Sequence, residues 1–86
     1  MYEVLLTKDA QKDFLKIKAA KLLKKTGLLI DIIRENPFQN PPPYEKLAGD
    51  LRGKYSRRIN LQHRLVYEVH ESQEVIRVLR MWTHYE

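Results

Sequence analysis

Apolar and polar positions change period near the start of the chain. Tyr2, Val4 and Leu6 alternate with Glu3 and Leu5, and a period of two predicts a short strand. Thr7 follows, a residue whose side-chain oxygen can accept from the first free N–H groups of a helix. Over Lys8 to Ala20, Ala10, Phe14 and Ile17 recur at helical spacing. Leu15 flanks them, and Lys18 falls inside the same arc, where its ammonium has to reach outward. From Lys21 to Asn36 the stripe is cleaner. Leu22, Thr26, Leu29, Ile30 and Ile33 share one face, and Lys24, Asp31 and Glu35 lie away from it. Two helices in a hairpin are expected. Pro37 stops the second, and Pro41-Pro42-Pro43 keeps the next stretch extended without backbone donors.

Tyr44 to Lys54, with Gly49 and Gly53, is expected to be irregular or tightly turned. Three strands should follow, at Tyr55 to Asn60, Arg64 to His70 and Val75 to Tyr85, with turns at Leu61-Gln62-His63 and Glu71-Ser72-Gln73-Glu74. The order β-α-α-β-β-β predicts an α+β fold, with two helices packed on one side of a mainly antiparallel sheet. The 86 residues, 43% of them apolar, suffice for a single domain over 1–86 with one core.

The absence of cysteine excludes disulfides, thiolate-held metal and a cysteine nucleophile. Residues 1–7 lack the pattern of a signal peptide, and no apolar run is long enough to cross a bilayer, so a cytoplasmic protein without a membrane partner is expected. The net charge of +5 and pI of about 9.6 favour a polyanionic partner without singling out nucleic acid.

His63, His70 and His84 are scattered, with no His-x-x-x-His on a helix, so no metal site is expected. No Gly-rich phosphate loop or G-x-S-x-G elbow occurs, and no cofactor is implied. What remains is a C-terminal concentration of Glu45, Arg57, Arg58, His63, Arg64, His84 and Tyr85. Cutting RNA without a metal needs a base for the 2′-OH proton, cations for the phosphorane and an acid for the leaving 5′ oxygen. Glu, Arg and His can supply them, and alternate side chains of neighbouring strands share a face. The same residue types equally suit a loop carboxylate, solvated sheet charges and a chain end. Arg57 and Arg58 alternate, so at most one of them readily faces RNA. His63, at a turn, either fixes the hairpin or touches substrate. Ser56, Ile59 and Tyr67 are expected to serve packing.

The ordered run Glu45-Lys46-Leu47, Leu51-Arg52-Gly53-Lys54-Tyr55-Ser56-Arg57-Arg58-Ile59 and His63-Arg64-Leu65-Val66-Tyr67 resembles the signature of the YoeB/Txe toxins in the RelE superfamily. His84-Tyr85 near the chain end is a further family mark, and Asn36-Pro37-Phe38 and the helix pair agree with the family layout. The resemblance implies a RelE-like fold and metal-independent endoribonuclease activity that inhibits translation, on mRNA in the ribosomal A site. Glu45 would be the general base, Arg64 the phosphorane-stabilising cation and His84 the general acid. Tyr85 would position substrate, with RNA contacts expected at Arg57, Arg58 and His63. It also implies restraint by an acidic antitoxin of the YefM/Axe kind, and a homodimer is compatible with it.

Leu28 and Ile32, one turn apart outside the main stripe and beside Lys21 and Lys25, form a mixed apolar and basic strip suited to an acidic amphipathic peptide. Packing on the first helix or at a dimer interface is the alternative. Two other functional classes stay open. One is a non-catalytic ParE-like toxin that binds DNA gyrase; the other is a plain RNA-binding module using Arg57, Arg58 and the lysine-rich first helix.

Overall fold

The computed structural model describes residues 1–82. β1 (Glu3–Leu6) leads to α1 (Lys8–Ala19) and α2 (Leu23–Glu35), then β2 (Glu45–Lys46), β3 (Lys54–Arg58), β4 (Arg64–His70) and β5 (Val75–Arg80). The strands form one sheet in the order β1-β5-β4-β3-β2. It is mixed, since β1 runs parallel to β5 while the other neighbours pair antiparallel. Both helices pack on one face.

Thr7 caps α1 as its residue type suggests, its Oγ1 accepting from the Ala10 N–H at 3.1 Å. The same hydroxyl donates to the Leu79 carbonyl at 3.0 Å, which fastens the helix start to β5. α1 ends in a Schellman-type closure. Lys21 takes a left-handed φ of 61°, and the Leu22 N–H donates to the Ile17 carbonyl at 3.0 Å. A lysine occupies the position where glycine is usual, so α2 begins at Leu23 rather than Lys21. It ends at the Asn36-Pro37 stop, where the Asn36 side chain accepts from the Phe38 N–H at 3.0 Å.

Ala10 and Ile17 of α1 and Leu29 and Ile33 of α2 meet Leu65, Tyr67, Ile76 and Val78 of the sheet, with Ile59 and Met81 closing the ends of the core. α1 turns the expected stripe inward, with Asp13 added to it. Asp13 is buried and Leu15 is exposed, while Phe14 packs only partly against the core.

Two strands end early and one strand is unexpected. β3 stops at Arg58, because Asn60 folds its side chain onto the Gln62 and His63 N–H groups and the Ile59 N–H turns to the His63 carbonyl. β5 stops at Arg80, before Met81 and Trp82 of the expected span, because the Met81 N–H donates to the Asp13 carboxylate at 3.0 Å; the rest of that span, 83–85, lies outside the described residues. The expected irregular stretch contains a two-residue strand, with Glu45 opposite Ser56 and Lys46 opposite Tyr55. Gly53, at φ 87°, makes the turn into β3 that a side chain would strain.

This register sorts the charged residues. Partners directly opposite one another share a sheet face, as do residues two apart on one strand. Glu45 faces Ser56 and Arg58 faces Arg64, so all four lie on the face away from the helices. Arg57, opposite Leu65, points to the helix side.

Candidate active site

Arg64 opens β4 and Glu45 opens β2, and β3 lies between them. The Arg64 Nη1 donates to the Glu45 Oε1 at 3.0 Å and to the Ser56 Oγ at 3.5 Å. The cation is seated, its side chain 20% exposed, and the carboxylate is open at 64%. With Pro43, Tyr44, Ser56 and Arg58 they line a cleft of about 190 Å³. One guanidinium thus meets an accessible carboxylate on an open sheet face, and a second arginine lines the same cleft. That arrangement can hold a phosphate while offering a proton acceptor beside it.

Of the expected RNA-contacting residues, Arg58 lines the cleft and Arg57 does not. The Arg57 side chain lies on the core side and the residue is 1% exposed. Its Nε donates to the Tyr67 hydroxyl at 3.1 Å, Nη1 to the Pro42 carbonyl at 2.6 Å, and Nη2 to the Pro37 and Gln39 carbonyls at 3.1 and 2.9 Å. The Tyr67 hydroxyl in turn donates to the Pro37 carbonyl at 2.8 Å. Burial pushes the Tyr67 pKa up, against the opposing pull of Arg57, so the donor keeps its proton. Strand alternation, which admits one arginine of the pair to the open face, selects Arg58.

His63 is not among the residues lining the cleft. Its ring stacks on Trp82 at 3.9 Å between centroids and 20° between planes. Its backbone closes the β3–β4 turn, accepting from Ile59 and donating to Asn60. Of the two readings for this residue, fixing the hairpin is the one this geometry favours. His70 lies on the open face beside Glu68, 3.2 Å away. Among the described residues, no three His, Cys, Asp or Glu side chains converge as metal ligands would. His84 and Tyr85 lie outside the described residues.

Ser56, Pro43 and Tyr44 join the site although the sequence reading passed them over or assigned them to packing. Tyr44 could have been found from its place beside Glu45. Ser56 became legible only once its pairing with Glu45 was known. On α2, Leu28 and Lys25 are exposed and Ile32 is half-buried; Lys21, expected on the same helix, is exposed but lies before α2, in the turn that closes α1.

Over residues 6–85 the chain matches the family described as "YoeB-like toxin of bacterial type II toxin-antitoxin system". It belongs to that family. The Toxin YoeB of Synechocystis sp. is 49% identical over 49 residues, an alignment spanning 57% of this chain and 57% of that relative. The Toxin YoeB of Mycobacterium bovis is 38% identical over 79 residues, 90% of this chain and 91% of its own. Among solved structures, a YoeB/ParE toxin from Agrobacterium tumefaciens superposes with a TM-score of 0.88 at 30% identity, covering 96% of this chain and 99% of that one. The heterotetrameric YoeB-YefM toxin-antitoxin complex from Staphylococcus aureus gives 0.82 at 32% identity over 99% of both chains. The YoeB dimer from the same organism gives 0.83 at 32% identity over 98% of both. The YoeB match includes Glu45 and Arg64 and reaches past Trp82 to His84 and Tyr85.

Proposed function

We propose that this YoeB-like toxin is an endoribonuclease that inhibits translation by cutting mRNA in the ribosomal A site, without a metal ion. The observation that carries the reading is the 3.0 Å contact of Glu45 with Arg64 beside Arg58, in a cleft on the face of the sheet opposite the helices. At about 190 Å³ the cleft is smaller than the roughly 300–1,000 Å³ of pockets that enclose a drug-sized ligand. A phosphodiester fits it with the flanking bases left outside.

In this reading Glu45 takes the proton of the 2′-OH, and the 2′ oxygen attacks the adjacent phosphorus. Arg64, aided by Arg58, stabilises the crowded, doubly charged phosphorane. The P–O5′ bond then breaks, leaving a 2′,3′-cyclic phosphate and a 5′-hydroxyl. The departing oxygen needs a proton, and the family pattern assigns its delivery to His84, with Tyr85 positioning substrate. The net charge of +5 draws the chain to the polyanion.

The test is to add the protein to translating ribosomes and map message ends by primer extension. Cuts inside A-site codons with 5′-hydroxyl termini are expected, and cleavage of any ribosome-free RNA substrate should survive excess chelator. Loss of that cleavage on chelation would overturn the metal-free mechanism. Intact message with inhibited DNA supercoiling would mark a gyrase-binding toxin, and intact message with RNA retained would mark a binding module.

The partner we assign is an acidic, YefM/Axe-like antitoxin, as in the complex of the Staphylococcus aureus relative. Its docking strip is exposed Leu28 and half-buried Ile32 of α2, with Lys25 on the same helix and Lys21 just before it. Changing Leu28 and Ile32 to serine should raise the antitoxin Kd by about tenfold or more, since each apolar anchor lost at an interface centre costs ~1–2 kcal/mol. Cleavage by the free toxin should be spared. Titration calorimetry with the antitoxin checks this, and unchanged affinity would move the docking strip elsewhere. A homodimer, as in the other Staphylococcus aureus structure, is also proposed. Among the described residues no helix is long and apolar enough to cross a membrane, and the proposed substrate places the chain in the cytoplasm.

A further inference from the structure

Glu45 stands on a short footing. β2 contributes two paired residues, Glu45 and Lys46, with one more bond from the Leu47 N–H to the Lys54 carbonyl at 2.9 Å. One residue upstream of it, Pro41-Pro42-Pro43 supplies no N–H group with which to join a sheet. What holds this loop from beneath is a buried cation. Arg57 binds the carbonyls of Pro37, Gln39 and Pro42, and the Tyr67 hydroxyl binds Pro37 a second time. The guanidinium carbon also lies 5.0 Å from the centre of the Tyr44 ring, next in sequence to Glu45. Phe38 and Tyr44 pack on Tyr55 at 5.2 and 6.0 Å between ring centres, which completes the seat. Among the described residues no carboxylate forms an ion pair with Arg57. Its charge is met by carbonyl dipoles and an aromatic face, all in or under the loop.

We infer that Arg57 is a positioning residue of the active site, fixing the 37–44 loop so that Tyr44 and Glu45 meet Arg64 across the cleft. The inference rests on Glu45 being the base. Lysine at this position keeps the charge but carries a single nitrogen, which cannot reach three carbonyls and a hydroxyl in the directions a planar fork does. The loop then loses its register, and Glu45 moves against the phosphodiester by a fraction of an ångström to an ångström. A displacement of that size costs up to about 100-fold in rate.

A double-mutant cycle separates positioning from general support of the fold. Arg57→Lys should lower the single-turnover cleavage rate constant by about 10–100-fold. The message concentration for half-saturation should stay within about threefold. In a Glu45→Gln background, where no base remains to misplace, the same change should move the residual rate by less than about threefold. Equal losses in both backgrounds, or a smaller active fraction cutting at an unchanged rate constant, would show that Arg57 serves only the fold. If Arg57→Lys does not fold, the same cycle with Tyr67→Phe decides, because it removes one guanidinium partner and the second bond to Pro37 while keeping the ring. A loss there confined to the Glu45 background supports positioning; no loss, or an equal one, overturns it. Cleavage at the wild-type rate by Glu45→Gln alone would sink the reading of the base itself, and the inference with it.

Discussion

Glu45→Gln should fold normally and cut message about 10²–10⁴-fold more slowly, the loss expected when a general base is removed. The amide keeps the size of the side chain and an oxygen that can still accept from Arg64, so the 3.0 Å contact has a substitute. What disappears is a group able to take up a proton. Arg64→Lys should lose about 10²–10³-fold for a different reason, because a preorganised donor aimed at the developing phosphorane charge is removed. A lysine keeps the charge, but its single nitrogen cannot stay on Glu45 and Ser56, as Nη1 of Arg64 does, and also present a second donor to the phosphate as the guanidinium fork can. The pair lies at the surface with Glu45 64% exposed, so either change should alter stability by no more than ~1 kcal/mol. Single-turnover rates set against urea midpoints give both readouts. The double variant should be little worse than the poorer single one, since residues acting as a unit do not lose activity additively. Near-normal cutting by either single variant would remove that residue from the reaction.

The two helices and β4 were legible because their signals are local. Ile17, Leu29 and Ile33 sit on helical stripes, and Arg64 to His70 is the expected strand to the residue. The meeting of Glu45 and Arg64 was legible only through the family motif, since they are 19 positions apart and joined by a strand of two residues, too short to show alternation. Alternation showed that one arginine of the pair turns away from the open face, but not what would meet the charge of a buried Arg57. Its partners are backbone carbonyls 15 to 20 residues away and one tyrosine hydroxyl, and carbonyls carry no residue identity. The end of β5 was hidden for a related reason. Met81-Trp82-Thr83 continues to favour a strand by composition, and the bond that diverts the Met81 N–H comes from Asp13 on a helix 68 positions earlier. Lys21 likewise adopts a conformation glycine would have advertised.

Removing that Asp13 carboxylate should be a costly change to the fold. Asp13 sits on α1 with its side chain 2% exposed and closes three bonds at the end of β5. Arg80 donates to it twice, Nε to Oδ2 at 2.8 Å and Nη2 to Oδ1 at 3.2 Å, and the Met81 N–H donates to Oδ2 at 3.0 Å. Burial alone would raise its pKa. The hydrogen bonds from Arg80 and Met81, the Arg80 charge and the Trp82 N–H outweigh that, and the carboxyl titrates below its ordinary value. Breaking a fully buried pair costs roughly 3–5 kcal/mol. The Arg80 side chain is 30% exposed and can regain water, so Asp13→Ala should cost about 2–4 kcal/mol. For a domain of this size, that corresponds to a fall in Tm of about 10–25 °C. The pH dependence has a fixed sign. Because the folded pKa is depressed, the pair's contribution is fully present above the unfolded value of about 4 and is lost as pH falls through the folded one. Asp13→Asn should accordingly be less stable than wild type at pH 7, and the gap should narrow steadily below about pH 4. Urea denaturation of both proteins from pH 7 to pH 2.5 measures it. A gap that stayed constant over that range would mean that Asp13 acts through shape and backbone bonding alone. The same anchor fixes the point from which the chain continues toward His84. A variant that folds but loses this fastening should therefore cut more slowly even where its stability is ample.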